Sequence, residues 1–152
     1  QYAYRWMESW VGKLPSDVAF VRSPGMWNSM METHAQIYYV EQALGSFDKT
    51  HKAVFDAFHQ KRNYLETQEA VRELFVAQGI DPAAFDKAWT SFQVTSAVKQ
   101  AGVRMREYGV NGVPNLIVNG KYRVSSGDAV TTQADMLKVV DFLVAKERSS
   151  KN

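Results

Sequence analysis

The sequence predicts an α/β fold in which a run of helices interrupts a small sheet domain. Three observations carry this. A short apolar run, Asp17 to Arg22 (DVAFVR), lies between Pro15 and Ser23-Pro24-Gly25; its length and its Val/Phe content favour a buried strand. Far along the chain, Leu116-Ile117-Val118 and the stretch 121–124 flank Asn119-Gly120. That dipeptide is the strongest short hairpin signal, because both positions tolerate positive φ. Everything between these strands recurs at helical period. One strand plus a hairpin is about the minimum for a stable sheet, so the helical block reads as an insertion. The expected division is 1–28 with 94–152 as the sheet part and 29–93 as an inserted helical subdomain.

Taken in order, Ala3, Trp6, Met7, Trp10 and Leu14 predict a helix over 2–14, ended by Gly12 and Pro15. After the strand, a Gly/Met/Trp loop leads to residue 28. A helix over 29–44 places Met31, Ala35, Tyr38 and Gln42 on one side, with Ile37, Val40 and Leu44 close by and Gly45 as the stop. Asp48 is expected to cap a helix burying Val54, Phe55 and Phe58, and Thr67 to cap one burying Val71, Leu74 and Phe75, with Gly79 at its end. Asp81-Pro82 joins a capping side chain to a proline at the first helical position, and Phe85, Trp89 and Phe92 then repeat at helical spacing. The last helix of the block runs over 95–108, with Val98, Ala101, Gly102, Met105 and Tyr108 on one face and Gly109 as its end. Beyond the hairpin, Thr132 with Asp135 resembles a capping box, opening an amphipathic helix that carries Met136, Val140, Leu143 and Val144. The tail is expected to fray.

Composition narrows the function. The chain has 152 residues, 45% hydrophobic and 22% charged, with net charge +2. That is enough chain for a real core, and the composition is not that of a disordered chain. No apolar run approaches the roughly 20 residues needed to span a bilayer. Basic and acidic residues are mixed without a Lys/Arg stripe, so nucleic acid is not expected as a partner. Cysteine is zero, which excludes a zinc thiolate site, a disulfide framework and a cysteine nucleophile within these residues. His34, His51 and His59 are the only histidines, and no carboxylate is obviously placed to complete a metal site with them; neither metal nor cofactor is expected. Trp6, Trp10, Trp27 and Trp89 read as core and groove-lining rather than a cofactor cage. Met26, Trp27, Met30 and Met31 form an apolar, adaptable stretch that suits either core or an exposed groove. Ser125-Ser126 has no base in reach for nucleophilic chemistry.

Three segments together resemble a known family. Gly112-Val113-Pro114-Asn115-Leu116-Ile117-Val118-Asn119-Gly120-Lys121-Tyr122 joins a Gly-Val-Pro loop to an apolar strand and an Asn-Gly-Lys-Tyr hairpin. Leu14-Pro15-Ser16-Asp17-Val18-Ala19-Phe20 is a helix end followed by an extended run, and the helical block between carries His34-Ala35-Gln36, Ala43-Leu44-Gly45 and Trp89-Thr90-Ser91-Phe92. Over essentially the whole chain this is similar to the DsbA family of periplasmic thiol:disulfide oxidoreductases. The resemblance implies a thioredoxin-like fold with an inserted helical subdomain. It implies a function, the introduction of disulfide bonds into secreted proteins, and a periplasmic location. It implies partners too: reduced or unfolded secreted polypeptides, and an inner-membrane reoxidising protein of the DsbB type. The family's Cys-Pro-His-Cys motif has no counterpart here. Counting back from Trp10 places the expected cysteine pair immediately before Gln1, so no catalytic residue is expected in this chain, which by itself is expected to be inactive, and the upstream strands are expected to be missing with the motif.

The resemblance also implies a role for Val113 and Pro114 as substrate-binding residues. By spacing alone Pro114 reads as the start of an edge strand with a trans bond. As the family's cis-proline it would turn the backbone so that Val113 offers its N–H and C=O to a substrate strand. Two other functions fit the same sequence. Kappa-class glutathione transferases and related isomerases share a thioredoxin fold with a helical insertion. A cysteine-free peptide-binding module would keep the proline edge without exchanging disulfides.

Overall fold

The computed structural model describes residues 5–127 and 130–150. Residues 2–4 of the expected first helix, the side chain of Trp6 and the end of the tail lie outside the described residues. Two packed units emerge, Ser23–Arg104 and Gln1–Arg22 with Met105–Asn152.

The first of these is helical. It contains α2 (Ser29–Leu44), α3 (Phe47–His59), α4 (Gln68–Ala77), α5 (Pro82–Trp89) and most of α6 (Phe92–Glu107); α1 is left for Arg5–Val11 in the other unit. Local chemistry starts and stops these helices. Asn28 accepts the Met31 N–H at 2.9 Å, and Gly45 closes α2 at φ 60°. Thr67 caps α4 through the Ala70 N–H at 3.2 Å, and Asp81 caps α5 through the Ala84 N–H at 2.9 Å with Pro82 at the start. The third helix begins earlier than expected. Ser46 occupies the cap position and Asp48 falls in the first turn, where its charge favours the helix N-terminus.

The core of this unit is a contiguous apolar cluster that includes Ile37, Val40, Leu65, Val71, Phe75, Phe85, Trp89, Val94, Val98 and Ala101. Phe85 is sandwiched, with ring centroids 5.2 Å from Phe75 and 5.4 Å from Trp89. Because Val94, Val98 and Ala101 of α6 enter this cluster, the contact boundary falls after Arg104, where periodicity placed it after residue 93. Phe92 does not continue the inward face of α5. The chain breaks at Thr90-Ser91 and leaves Phe92 exposed at the start of α6. On α2 the buried face holds Ala35, Ile37, Tyr39, Val40 and Glu41, and Gln42 is exposed. Glu41 is buried because its carboxylate is satisfied: Thr50 Oγ1 donates to Oε1 at 2.8 Å and His51 Nδ1 lies 3.0 Å from Oε2. Down α3, the rings of Phe47, His51, Phe55 and His59 meet at tilted angles, with successive centroid distances of 4.9, 4.9 and 5.7 Å.

The second unit holds α1, the strands β1 (Asn115–Val118) and β2 (Tyr122–Ser125), and α7 (Gln133–Ser149). The strands pair antiparallel, with Leu116 opposite Val124 and Val118 opposite Tyr122. Period two puts these four on one face, and there they meet Met136, Val140, Leu143 and Val144 of α7 and Trp10 of α1. Asn119 and Gly120 take φ 50° and 68°, and the Lys121 N–H closes the turn onto the Val118 carbonyl at 3.0 Å. Lys121 therefore belongs to the turn, and the return strand starts one residue later than the sequence suggests. Thr132 caps α7 through the Asp135 N–H at 3.1 Å and donates its own hydroxyl to the Asp135 carboxylate at 2.7 Å.

The expected strand over 17–22 does not form. Asp17 lies in a turn closed by the Val18 N–H on the Pro15 carbonyl at 2.9 Å, 18–22 has no regular structure, and β1 and β2 are the only strands among the described residues. A β-strand needs a neighbour to receive its N–H and C=O groups; apolar content alone does not supply one. No helix among the described residues is long and apolar enough to cross a membrane.

Candidate functional site

The Gly-Val-Pro segment lies in the link between α6 and β1, and its setting follows from how that link is fastened. Helix α6 ends when Gly109 turns at φ 59° and the Val110 N–H reaches back to the Met105 carbonyl at 2.9 Å. Arg123, on the outer side of β2 opposite Ile117, directs its guanidinium at the freed carbonyls of Tyr108 (3.3 Å) and Gly109. At the far end, the side chain of Asn115 turns back along the chain and its Nδ2 donates to the Gly112 carbonyl at 2.8 Å. Between these two fastenings the backbone has no regular structure.

Val113 and Pro114 sit at the crest of this loop. The peptide bond joining them is cis, and the Val113 side chain is 72% exposed. Among the described residues, neither the N–H nor the C=O of Val113 has a hydrogen-bond partner. The loop thus presents one open residue edge, donor and acceptor together, at the entrance to a strand. Such an edge can receive an extended chain by main-chain hydrogen bonds, without demanding a particular side chain.

The opposite end of the hairpin carries an ionic fastening. Glu147 of α7 is largely buried, and its Oε2 accepts from Asn119 Nδ2 at 2.6 Å and Lys121 Nζ at 2.8 Å. The bond from Lys121, with that from Asn119, holds the Glu147 carboxyl below the usual carboxylate range, and the same contact holds Lys121 above the usual lysine range. Lys146 lies 5.2 Å from the centroid of Tyr122. In the same unit Trp10 Nε1 donates to Asp141 at 2.7 Å, and Arg148 pairs with Asp17 at 2.9 Å.

The other residues weighed from sequence are accounted for elsewhere. His34 Nε2 lies 3.0 Å from the Tyr64 carbonyl, His51 is held by Glu41, and His59 stacks on Phe55. No group of three or more His, Asp or Glu among the described residues is placed to hold a metal ion. Trp89 is core and Trp27 is 41% exposed over Gly25, where a Cβ would fall 2.6 Å from the indole. Arg123, Asn115 and Glu147 were not singled out from sequence. Arg123 and Glu147 read as ordinary surface charges, and only the polar Asn115 opening an otherwise apolar strand gave a signal.

A family model described as the DSBA-like thioredoxin domain matches residues 6–138. The thiol:disulfide interchange protein DsbA of Azotobacter vinelandii is 39% identical over 144 residues, covering 95% of this chain and 67% of that protein. The protein of the same name from Pseudomonas aeruginosa is 34% identical over 141 residues, covering 93% and 66%. The crystal structure of Pseudomonas aeruginosa DsbA superposes with a TM-score of 0.84 at 33% identity, over 95% of this chain and 75% of that one. A Proteus mirabilis DsbA, solved with a non-covalently bound peptide PWATCDS, shares the fold at a TM-score of 0.73 and 23% identity, over 93% and 82%. The chain spans about two thirds of the length of the curated relatives it matches.

Proposed function

The chain belongs to the DSBA-like thioredoxin family, and from that premise we propose that it serves thiol–disulfide exchange of the DsbA type, as the part that holds the polypeptide substrate. The relatives at 34–39% identity are thiol:disulfide interchange proteins, which favours this reaction over glutathione transfer. In the exchange, a substrate thiolate attacks one sulfur of the enzyme disulfide and expels the other as a thiolate. A second substrate thiolate then attacks the substrate sulfur of the mixed disulfide, closing the new disulfide and expelling the remaining enzyme thiolate. The 152 residues contain no cysteine, so every sulfur-bearing step has to draw its dithiol from outside them. What these residues offer is the substrate edge at Val113 and Pro114.

The observation that carries this reading is the open N–H and C=O of Val113 on a loop fastened at both ends. An extended polypeptide pairing there would place successive side chains alternately toward and away from the protein, gaining affinity from backbone contacts and leaving sequence choice broad. That suits an enzyme that introduces disulfide bonds into many secreted proteins. We assign the whole protein to the periplasm, with reduced secreted polypeptides as substrates and an inner-membrane reoxidising protein of the DsbB type as its electron acceptor. The helical unit, expected from sequence over 29–93 and packed over Ser23–Arg104, is assigned as the inserted helical subdomain of the thioredoxin-like fold.

The test is an NMR titration of the 15N-labelled chain with the peptide PWATCDS, the one bound in the Proteus mirabilis structure. Shifts should concentrate at Gly112, Val113 and Asn115. Methylating the peptide's backbone nitrogens should abolish them, and Val113→Ala should leave affinity nearly unchanged, because the side chain is not the recognised group. Shifts confined to the helical unit would refute the assignment. In parallel, the chain should show no turnover in an oxidative-refolding assay, and fusing a relative's Cys-Pro-His-Cys segment and upstream strands to it should create turnover. The absence of cysteine equally favours one second reading, a binding module that holds polypeptides without exchanging disulfides. A fusion that binds peptide but never turns over would select it.

A further inference from the structure

We infer that Asn115 is a positioning residue for the polypeptide edge: its side chain is kept, at a cost in stability, to preset the backbone of Gly112 and Val113 for strand pairing. This rests on the reading of Val113 as the substrate edge. Three observations carry it. First, Asn115 Nδ2 donates to the Gly112 carbonyl at 2.8 Å, closing a side-chain turn around Val113 and Pro114. Second, with Gly112 O engaged from inside the loop, the next residue along the chain, Val113, has neither its N–H nor its C=O paired among the described residues. Third, the other half of the amide is unsatisfied. Asn115 Oδ1 is buried and no described residue donates to it.

The third observation separates positioning from ordinary structure. A buried acceptor without a donor costs more than one neutral hydrogen bond contributes. A residue selected for stability alone would not leave its oxygen in that state, since a small apolar side chain at the same strand position would remove the penalty. The group that repays it is the donor on Nδ2, and what that donor fixes is the loop. Presetting a loop in its bound form raises affinity by removing the ordering cost from the binding step. Stability given up at a position that serves binding is the usual sign of such a trade.

Two substitutions test this in the 152-residue chain. Asn115→Ala removes both the fastening bond and the orphan oxygen. Its melting temperature should equal or exceed that of the parent, while affinity for PWATCDS falls about five- to tenfold, the equivalent of one hydrogen bond. Amide signals of Gly112 and Val113 should also broaden, and those of Val118 and Val124 should stay sharp. Asn115→Asp keeps the size but replaces the donor by a carboxylate aimed at a carbonyl; it should lower affinity and melting temperature together. Parent-like affinity in Asn115→Ala would overturn the inference while leaving Val113 as the edge. A fall in melting temperature proportionate to the loss of affinity in Asn115→Ala would also overturn it, making Asn115 a structural residue only. If the parent itself does not bind the peptide, the reading of the edge fails and this inference falls with it.

Discussion

The two units of this chain are held by different forces. The helical unit is built on a broad apolar cluster, with Phe75, Phe85, Val71 and Val40 fully excluded from water. Its polar contacts include helix caps, surface pairs and the buried Glu41 cluster with Thr50 and His51. The sheet unit has a much smaller buried cluster, Val118, Val124, Met136 and Val140, and makes up the difference with side chains that grip backbone or one another: Arg123 on Tyr108 and Gly109, Asn115 on Gly112, Glu147 on Asn119 and Lys121. Apolar burial is non-directional, so it stabilises without fixing a loop to a tenth of an ångström. Hydrogen bonds are directional, and those of Arg123 and Asn115 fasten the loop that carries the open edge at Val113.

The contrast is open to attack. The largest expected effect is in the helical core. Phe75→Ala should cost about 3–5 kcal/mol in urea unfolding, the usual range for emptying a buried phenylalanine site; a loss under about 1 kcal/mol would mean that apolar packing is not what holds that unit.

Two glycines compare the units directly. Gly45 and Gly109 have nearly the same left-handed backbone, φ 60° and 59°. A Cβ on Gly45 meets nothing within 4 Å, whereas one on Gly109 comes to 3.0 Å from the Arg123 guanidinium. Gly45→Ala should cost about 1–2 kcal/mol, the price of the left-handed conformation alone. Gly109→Ala should cost more, because it also pushes Arg123 off its carbonyls, and only Gly109→Ala should disturb the amide signals of Val110 to Val113. Equal costs and an undisturbed loop would show the Arg123 grip to be incidental.

A smaller effect is expected from Glu147→Gln, visible chiefly as a change in pH dependence. The Glu147 carboxyl has a lowered pKa in the folded chain, so its contribution is fully present above the unfolded carboxylate value, about 4.3, and is lost as pH falls through the folded value. Lys121 is raised, so its contribution is fully present below the unfolded lysine value, about 10.4, and is lost as pH rises through its folded value. Melting temperature followed from neutral to acid pH should fall less steeply in Glu147→Gln than in the parent. Some acid sensitivity should persist, because the bond from Thr132 and that from Lys138 lower Asp135 as well. The smallest effect is expected from Arg72→Ala in the helical unit. Its partner Asp86 is 46% exposed, and exposed pairs contribute little; the melting temperature should match the parent within error.

Local chemistry was the legible part of this fold. Gly45, Thr67, Asp81-Pro82, Asn119-Gly120 and Thr132 each act within a turn of their own position, and each is where the sequence reading put it. The misplaced features depend on residues distant in sequence. An apolar run over 17–22 becomes a strand only if a neighbour pairs with it. Glu41, on which periodicity is silent, is buried because Thr50 and His51 of the next helix fold against it. Phe92 reads as a core aromatic until the break at Thr90-Ser91 turns it outward. At the site, the cis bond between Val113 and Pro114 was legible through the family resemblance and not through spacing, which by itself reads the bond as trans. Asn115, Arg123 and Glu147 were not, because what matters about them is which backbone atom or distant side chain each one reaches.

The grip of Glu147 on Asn119 has a consequence for how this protein ages. Asn-Gly is the dipeptide most open to spontaneous deamidation, in which the glycine nitrogen attacks the asparagine side-chain carbonyl, ammonia leaves, and the succinimide opens to aspartate or isoaspartate. Here the Asn119 amide is tied by its nitrogen to a carboxylate 2.6 Å away, so rotation onto the Gly120 nitrogen requires breaking a charge-assisted hydrogen bond. The lesion, where it occurred, would loosen the hairpin, since aspartate at this position would set two carboxylates against each other beside Lys121. The side chain that steadies the hairpin thus also acts as its preservative.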